Sequence, residues 1–137
     1  MTLTVILSII FIHWVADFMF QAEEWAVNKS KSFIALLKHT TTYSLIWFFG
    51  SYFLFSFPCD ISFFGYCVNA VKCFKFVGIT FVAHTITDYF TSKIVSRKFA
   101  NNEYGSSIPN LGAFTVIGFD QVLHYIQLFL TYYLLTK

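Results

Sequence analysis

Charge is scarce in this chain: only 12% of its 137 residues are Asp, Glu, Lys or Arg, against about a quarter in an average soluble domain. The nine Lys and Arg residues are scattered between apolar runs, and without a concentrated basic patch nucleic acid is excluded as a partner. The N-terminus, MTLTVILSIIFIHWVADF, lacks the basic region and small-residue cleavage site of a signal peptide and is expected to be a retained first membrane helix. The three cysteines, Cys59, Cys67 and Cys73, form neither a CxxC pair nor any zinc-ribbon spacing. They read as ordinary apolar residues, or as a Cys59–Cys67 disulfide if the second loop faces an oxidising compartment. Walker, GxSxG and HExxH motifs are all missing, so the familiar soluble catalytic classes gain no support.

What is abundant is apolar sequence. Hydrophobic residues make up 57% of the chain and aromatics 22%. A transmembrane helix needs about 20 mainly apolar residues, and four stretches qualify: 3–20, 33–57, 68–91 and 113–135. The connections are too short to fold alone, so residues 1–137 are expected to form one all-α integral membrane domain, a four-helix bundle with the lipid bilayer as its partner. The first loop, QAEEWAVNKSKS, is polar, and the third, 92–112, ends in the turn formers of NNEYGSSIPNLG. Lys29, Lys31, Lys38, Lys93, Arg97 and Lys98 flank these two loops, against Lys72, Lys75 and Lys137 on the other side. The positive-inside rule then places the first and third loops in the cytoplasm and both termini outside, across a bacterial inner membrane. Gly50, Gly78 and Gly118 lie inside apolar helices, where small residues permit close approach. The aromatic run from Tyr43 to Phe57 is expected to face lipid and the interface.

Two polar pairs interrupt the apolar runs. His13 and Asp17 lie near the end of the first segment, and His84 and Asp88 near the end of the third. Residues at i and i+4 share a helix face. At about 1.5 Å per residue, Asp17 and Asp88 sit roughly 6 Å inside their helix ends and His13 and His84 roughly 12 Å. His39, at the start of the second segment, and Asp120, Gln121 and His124, in the first half of the fourth, fall at comparable depths. The histidines and three of the aspartates thus converge on one layer toward the cytoplasmic side. The order His-x-x-x-Asp, charged loop, polar helix start occurs twice, which would make the bundle two repeated hairpins.

An unpaired charge at the bilayer centre costs about 2.5–3.5 kcal/mol or more, so these carboxylates must face one another, a cation or water. As structural glue they would supply interhelical hydrogen bonds of about 1 kcal/mol each. As ligands, His13, Asp17, His84 and Asp88 would hold zinc, manganese or iron, with Asp120, His124 and His39 as catalytic or orienting groups. An open coordination position would then activate water for phosphoester or amide hydrolysis. Gln21, Lys29, Lys93 and Gln121 would contact an anionic, membrane-associated or phosphorylated substrate at the rim. As a proton or cation pathway the same residues would mediate flux, and so small a bundle would need to form a homo-oligomer to enclose it.

HWVADFMFQ, NKSK, LKHTTTYS, HTITDYFTSK and FDQVLH, in this order, resemble the small bacterial and phage membrane proteins grouped as domain of unknown function 3307. The resemblance covers nearly the whole chain and places the family's polar signature on His13, Asp17, Gln21, Lys29, His39, His84, Asp88, Asp120, Gln121 and His124. It implies no activity. A looser likeness to inner-membrane proteins described as metal-dependent hydrolases points the same way as the ligand reading, while a phage-borne relative would fit a non-catalytic factor acting on the host membrane.

Overall fold

A computed structural model of the chain describes residues 1–58, 66–101 and 111–137. Helix α1, Leu3–Trp14, starts at Thr2, whose hydroxyl accepts from the Val5 backbone N–H; such N-caps satisfy an otherwise orphaned donor. It runs directly into a π-helical turn, Val15–Met19. A short helix α2, Glu23–Asn28, lies within the polar first connection. Ser32 then caps α3, Phe33–Leu54, by accepting from the Ala35 N–H. Strands β1, Ser56–Pro58, and β2, Tyr66–Val68, pair antiparallel with Ser56 opposite Val68. Asn69 follows, its side-chain oxygen accepting from the Lys72 N–H at 3.1 Å as α4, Ala70–Asn101, begins. Helix α5, Leu111–Thr136, completes the chain.

The helical class expected from the sequence is what is found, with three departures in detail. Helix α4 continues ten residues past the predicted end at Thr91, through SKIVSRKFAN. Loss of hydropathy marks where an apolar run stops, but Lys, Arg, Ile and Ala still favour helix, and no Gly or Pro intervenes. The first connection holds α2 where a loop was expected. Helix α3 ends at Leu54, where Phe55 leaves helical geometry at φ −112°, ψ 18°, and the next residues enter the β-hairpin. The proposed turn NNEYGSSIPNLG and the Cys59–Cys67 disulfide fall largely on, or depend on, positions outside the described residues; Cys73 is free and buried.

Helix α4 packs between α3 and α5, and α1 also contacts both α3 and α5. Among the described residues two helices, Ala70–Asn101 and Gly112–Thr136, are long and apolar enough to cross a membrane, and Leu3–Met19 is a shorter apolar helix. The outer faces of α4 and α5 expose Phe74, Val82, Ile86, Phe90, Phe119, Ile126 and Leu130. The interior splits into two zones. One is apolar and aromatic: Ile9, Trp47, Leu54, Phe55, Cys73, Phe76 and Leu128 form a buried cluster at the end that carries the β-hairpin. The other holds the histidines and aspartates.

The glycines divide differently from expectation. At Gly50 a Cβ would meet Ile12 Cγ2 at 3.0 Å and Cδ1 at 3.1 Å, so this residue does permit close approach of α1 and α3. Gly78 and Gly118 would meet nothing within 4 Å and face open surroundings.

Candidate metal centre

His13, Asp17, His39, His84, Asp88, Asp120 and His124 are all buried and meet in one layer. Helical periodicity explains the gathering. Residues 80, 84, 88 and 91 of α4, and 120, 124, 128 and 131 of α5, form single inward stripes at three- and four-residue spacing. Helix α3 contributes His39, Tyr43 and Trp47 by the same rule. Asp17 sits in the π-helical turn, where the Phe20 N–H reaches the Val15 carbonyl at 3.2 Å; such turns re-aim side chains and recur at functional sites.

The two i, i+4 pairs do not grip within themselves. His13 Nε2 lies 3.9 Å from Asp17 Oδ2 and His84 Nε2 lies 3.7 Å from Asp88 Oδ2. The shorter contacts run between helices and centre on His39. Its Nε2 is 3.0 Å from His84 Nε2, 3.1 Å from Asp88 Oδ2 and 3.2 Å from Asp17 Oδ1. His84 Nε2 is in turn 3.6 Å from Asp17 Oδ1. The residue assigned from sequence an orienting or catalytic role thus stands at the focus of the cluster.

His13, expected to be a ligand, is engaged otherwise. Its Nδ1 is 2.8 Å from the Tyr43 hydroxyl and its Nε2 2.7 Å from Gln121 Oε1. A neutral imidazole satisfies both by accepting from the tyrosine O–H and donating to the amide oxygen. Gln121 passes the chain on, its Nε2 donating to Asp17 Oδ2 at 3.0 Å and Asp120 Oδ2 at 3.3 Å. Asp120 Oδ1 accepts from Thr91 Oγ1 at 2.7 Å. Gln121, expected at the substrate rim, therefore ties His13 to both carboxylates.

Tyr43 is the member of the buried cluster that the sequence reading missed. Assigned to a lipid-facing aromatic run, it is wholly buried and stacks on His84 with ring centroids 3.7 Å apart and planes 8° from parallel. The His84 ring also lies 4.2 Å from that of His124, tilted by 31°. The available signal was its position four residues after His39. Trp47, from the same run, is buried as well.

The cluster can hold a metal ion: Asp17, His39 and His84 offer one set of donor atoms, His84, Asp88 and His124 another, and His13, Asp17 and His124 a third. Ligands about 2.0–2.1 Å from a tetrahedral ion stand roughly 3.3–3.4 Å from one another. The contacts among His39, His84, Asp17 and Asp88 bracket that spacing. Hydrogen bonding alone serves the site poorly. One imidazole N–H cannot serve three neighbours: Asp17 Oδ1 has only the shared His39 Nε2 at 3.2 Å, and Asp88 Oδ1, His84 Nδ1 and both ring nitrogens of His124 are buried with no hydrogen bond. Buried polar atoms are otherwise almost always paired.

The same residues are also an ion-pair network. Lys29, from the connection after α2, donates to Asp88 Oδ2 at 2.8 Å. Burial works against its charge, but the Asp88 and Asp17 carboxylates outweigh that and hold its ammonium above the ordinary lysine value. Beside the layer opens a cavity of about 670 Å³ lined in part by Asp17, Gln21, Lys29, Asp120 and Gln121, within the range of small-molecule sites, about 300–1,000 Å³. Gln21 and Lys29 thus do lie at a rim. Lys93 does not line this cavity; its Nζ sits 3.5 Å over the Tyr89 ring, and with Ser30, Ser96 and Arg97 it lines a smaller neighbour.

Comparison with known proteins returns nothing: no family model, no curated protein and no solved structure matches the chain.

Proposed function

We propose that the chain is a multi-pass protein of a bacterial inner membrane that holds a divalent metal ion, zinc, manganese or iron, and hydrolyses a membrane-associated or phosphorylated substrate at the cytoplasmic face. The observation that carries this is the convergence of Asp17, His84 and Asp88 on His39 Nε2 at 3.0–3.2 Å, in a cluster whose three-residue donor sets could hold an ion, beside a cavity of ligand size. Imidazole and carboxylate are the donors these metals favour. The membrane setting is supported by the inverted distribution of side chains: large apolar residues cover the outside while charge and imidazole fill one interior layer. In water so extensive an apolar surface would drive association, and in lipid it is the ordinary outer face. The ordered motifs that resemble domain of unknown function 3307 fit this setting and add no activity. The positive-inside bias of the loops supports a periplasmic position for both termini.

In this reading the ion supplies Lewis acidity and an activated water. The protein does the positioning. Tyr43 and Gln121 lock His13 in one tautomer, and Gln121 holds the outer oxygen of Asp17; such outer partners fix ligand orientation. Lys29 balances the charge of Asp88. Asp120 and His124 lie beside the ligand set, with Asp120 on the cavity wall, where a carboxylate can accept a proton from water.

The hydrogen-bonded run from Tyr43 through His13 and Gln121 to Asp17 and Asp120 also favours a proton pathway. Against it, Trp47, Phe76 and Leu128 are fully buried in the next zone and seal a single bundle on that side. Turnover of a phosphoester by the metal-loaded protein in nanodiscs, abolished by chelation and restored by one divalent metal, tests the hydrolase. Proton flux in liposomes without such turnover would replace it with the pathway.

A further inference from the structure

The larger cavity combines two chemistries that a small polar substrate would not use together. Its deep side carries Asp17, Asp120 and Gln121, whereas Val95, Phe99 and Ile117 form an apolar wall. Rim residues Phe18, Val27 and Phe99 are exposed, so the mouth is continuous with the apolar exterior of the bundle. Ser30 and Ser96 line both this cavity and the smaller one of about 290 Å³, whose other described walls are Lys93 and Arg97. Among the described residues, no carboxylate pairs with either cation. Lys93, predicted from sequence to bind substrate, therefore belongs to an adjoining cationic pocket rather than to the acid floor.

We propose that the paired cavities bind an anionic lipid, with its phosphate between Lys93 and Arg97, its head group crossing Ser30 and Ser96, and its apolar chain along Val95, Phe99 and Ile117. A water-soluble phosphorylated compound would leave the apolar wall wet, and a neutral lipid would offer no anion to Arg97 or to Lys93, whose ammonium otherwise lies over the Tyr89 ring. Arginine and lysine side by side suit a phosphate, the guanidinium through paired hydrogen bonds and the ammonium as a point charge. This names the substrate class of the hydrolase proposed above, but the binding itself rests on these walls and not on the ion.

The test is equilibrium binding of a tritiated single-chain lipid phosphate to the full-length protein in zwitterionic nanodiscs, with EDTA present throughout. Inorganic phosphate and a monoacylglycerol of the same chain length serve as competitors. The expected result is saturable binding at least tenfold tighter than either competitor, weakened about tenfold by Lys93→Gln with Arg97→Gln and similarly by Val95→Asn with Ile117→Asn. Phe99→Ser, at an exposed position, supplies an apolar-wall variant that keeps the fold. Inorganic phosphate competing as well as the lipid, monoacylglycerol competing equally, or wild-type affinity in these variants would overturn the lipid site. Binding that passes these tests in a protein holding no metal would remove the hydrolase reading and leave this one standing. A metalloprotein indifferent to the chain would do the reverse.

Discussion

The two interior zones of the bundle are built from the same helices and obey opposite rules. Toward the β-hairpin, Trp47, Phe55, Phe76 and Leu128 pack as an apolar core, where filling of space is the whole requirement. One to three turns away on the same helices stand His39, His84, Asp88 and His124, where donor atoms crowd together and several lack partners. Each buried unsatisfied polar group costs about 1–3 kcal/mol, and the polar layer concentrates more of them than the apolar zone, where Trp47 Nε1 is one. The difference separates a part that fills space with apolar side chains from a part that gathers ionisable groups into one buried layer.

The comparison breaks most severely if the focus is removed. His39→Ala is expected to abolish stoichiometric metal, a loss beyond the about 10–100-fold typical of outer-shell changes, as read by elemental analysis of protein that still elutes as a folded species. Trp47→Ala should do the opposite. It is expected to destabilise the bundle by about 3–5 kcal/mol through the cavity it leaves, measured by thermal or denaturant unfolding in detergent, while metal stoichiometry in the surviving folded fraction stays at the wild-type level.

Smaller changes sharpen the boundary. Tyr43→Phe keeps the ring stacked on His84 but removes the hydroxyl that reaches His13 at 2.8 Å, and metal affinity is expected to fall about tenfold by competition titration. Gly50→Ala forces a contact on Ile12 and should destabilise by about 1–3 kcal/mol. Gly78→Ala and Gly118→Ala, which meet nothing, should be neutral or stabilise by up to about 1 kcal/mol through helix propensity. Gln127→Leu removes interhelical hydrogen bonding to Thr80, 3.2 Å away, and is expected to shift unfolding by only about 0.6 kcal/mol.

The level of the polar layer was legible in the sequence because depth is arithmetic. Residues counted from a polar loop at a fixed rise land where they must, and His13, His39, His84 and Asp120 did. The azimuth of each helix was not legible. Spacing placed His13 beside Asp17 but could not say that Asp17 would turn through a π-helical turn toward His39, or that Gln121 would intervene. Tyr43 was hidden by abundance, since a chain with 19 Phe and 8 Tyr offers no contrast against which one functional aromatic stands out. The long reach of α4 was missed because hydropathy reports solvent preference and not backbone conformation.

The central claim is that four helix-borne side chains close around a cation. Elemental analysis of the gently purified full-length protein, beside the Asp88→Asn and His39→Ala variants prepared identically, tests it most directly. The account predicts a stoichiometric divalent metal in the wild type and its loss in both variants. Wild-type protein free of metal, and unchanged in melting temperature when zinc, manganese or iron is added, would contradict it.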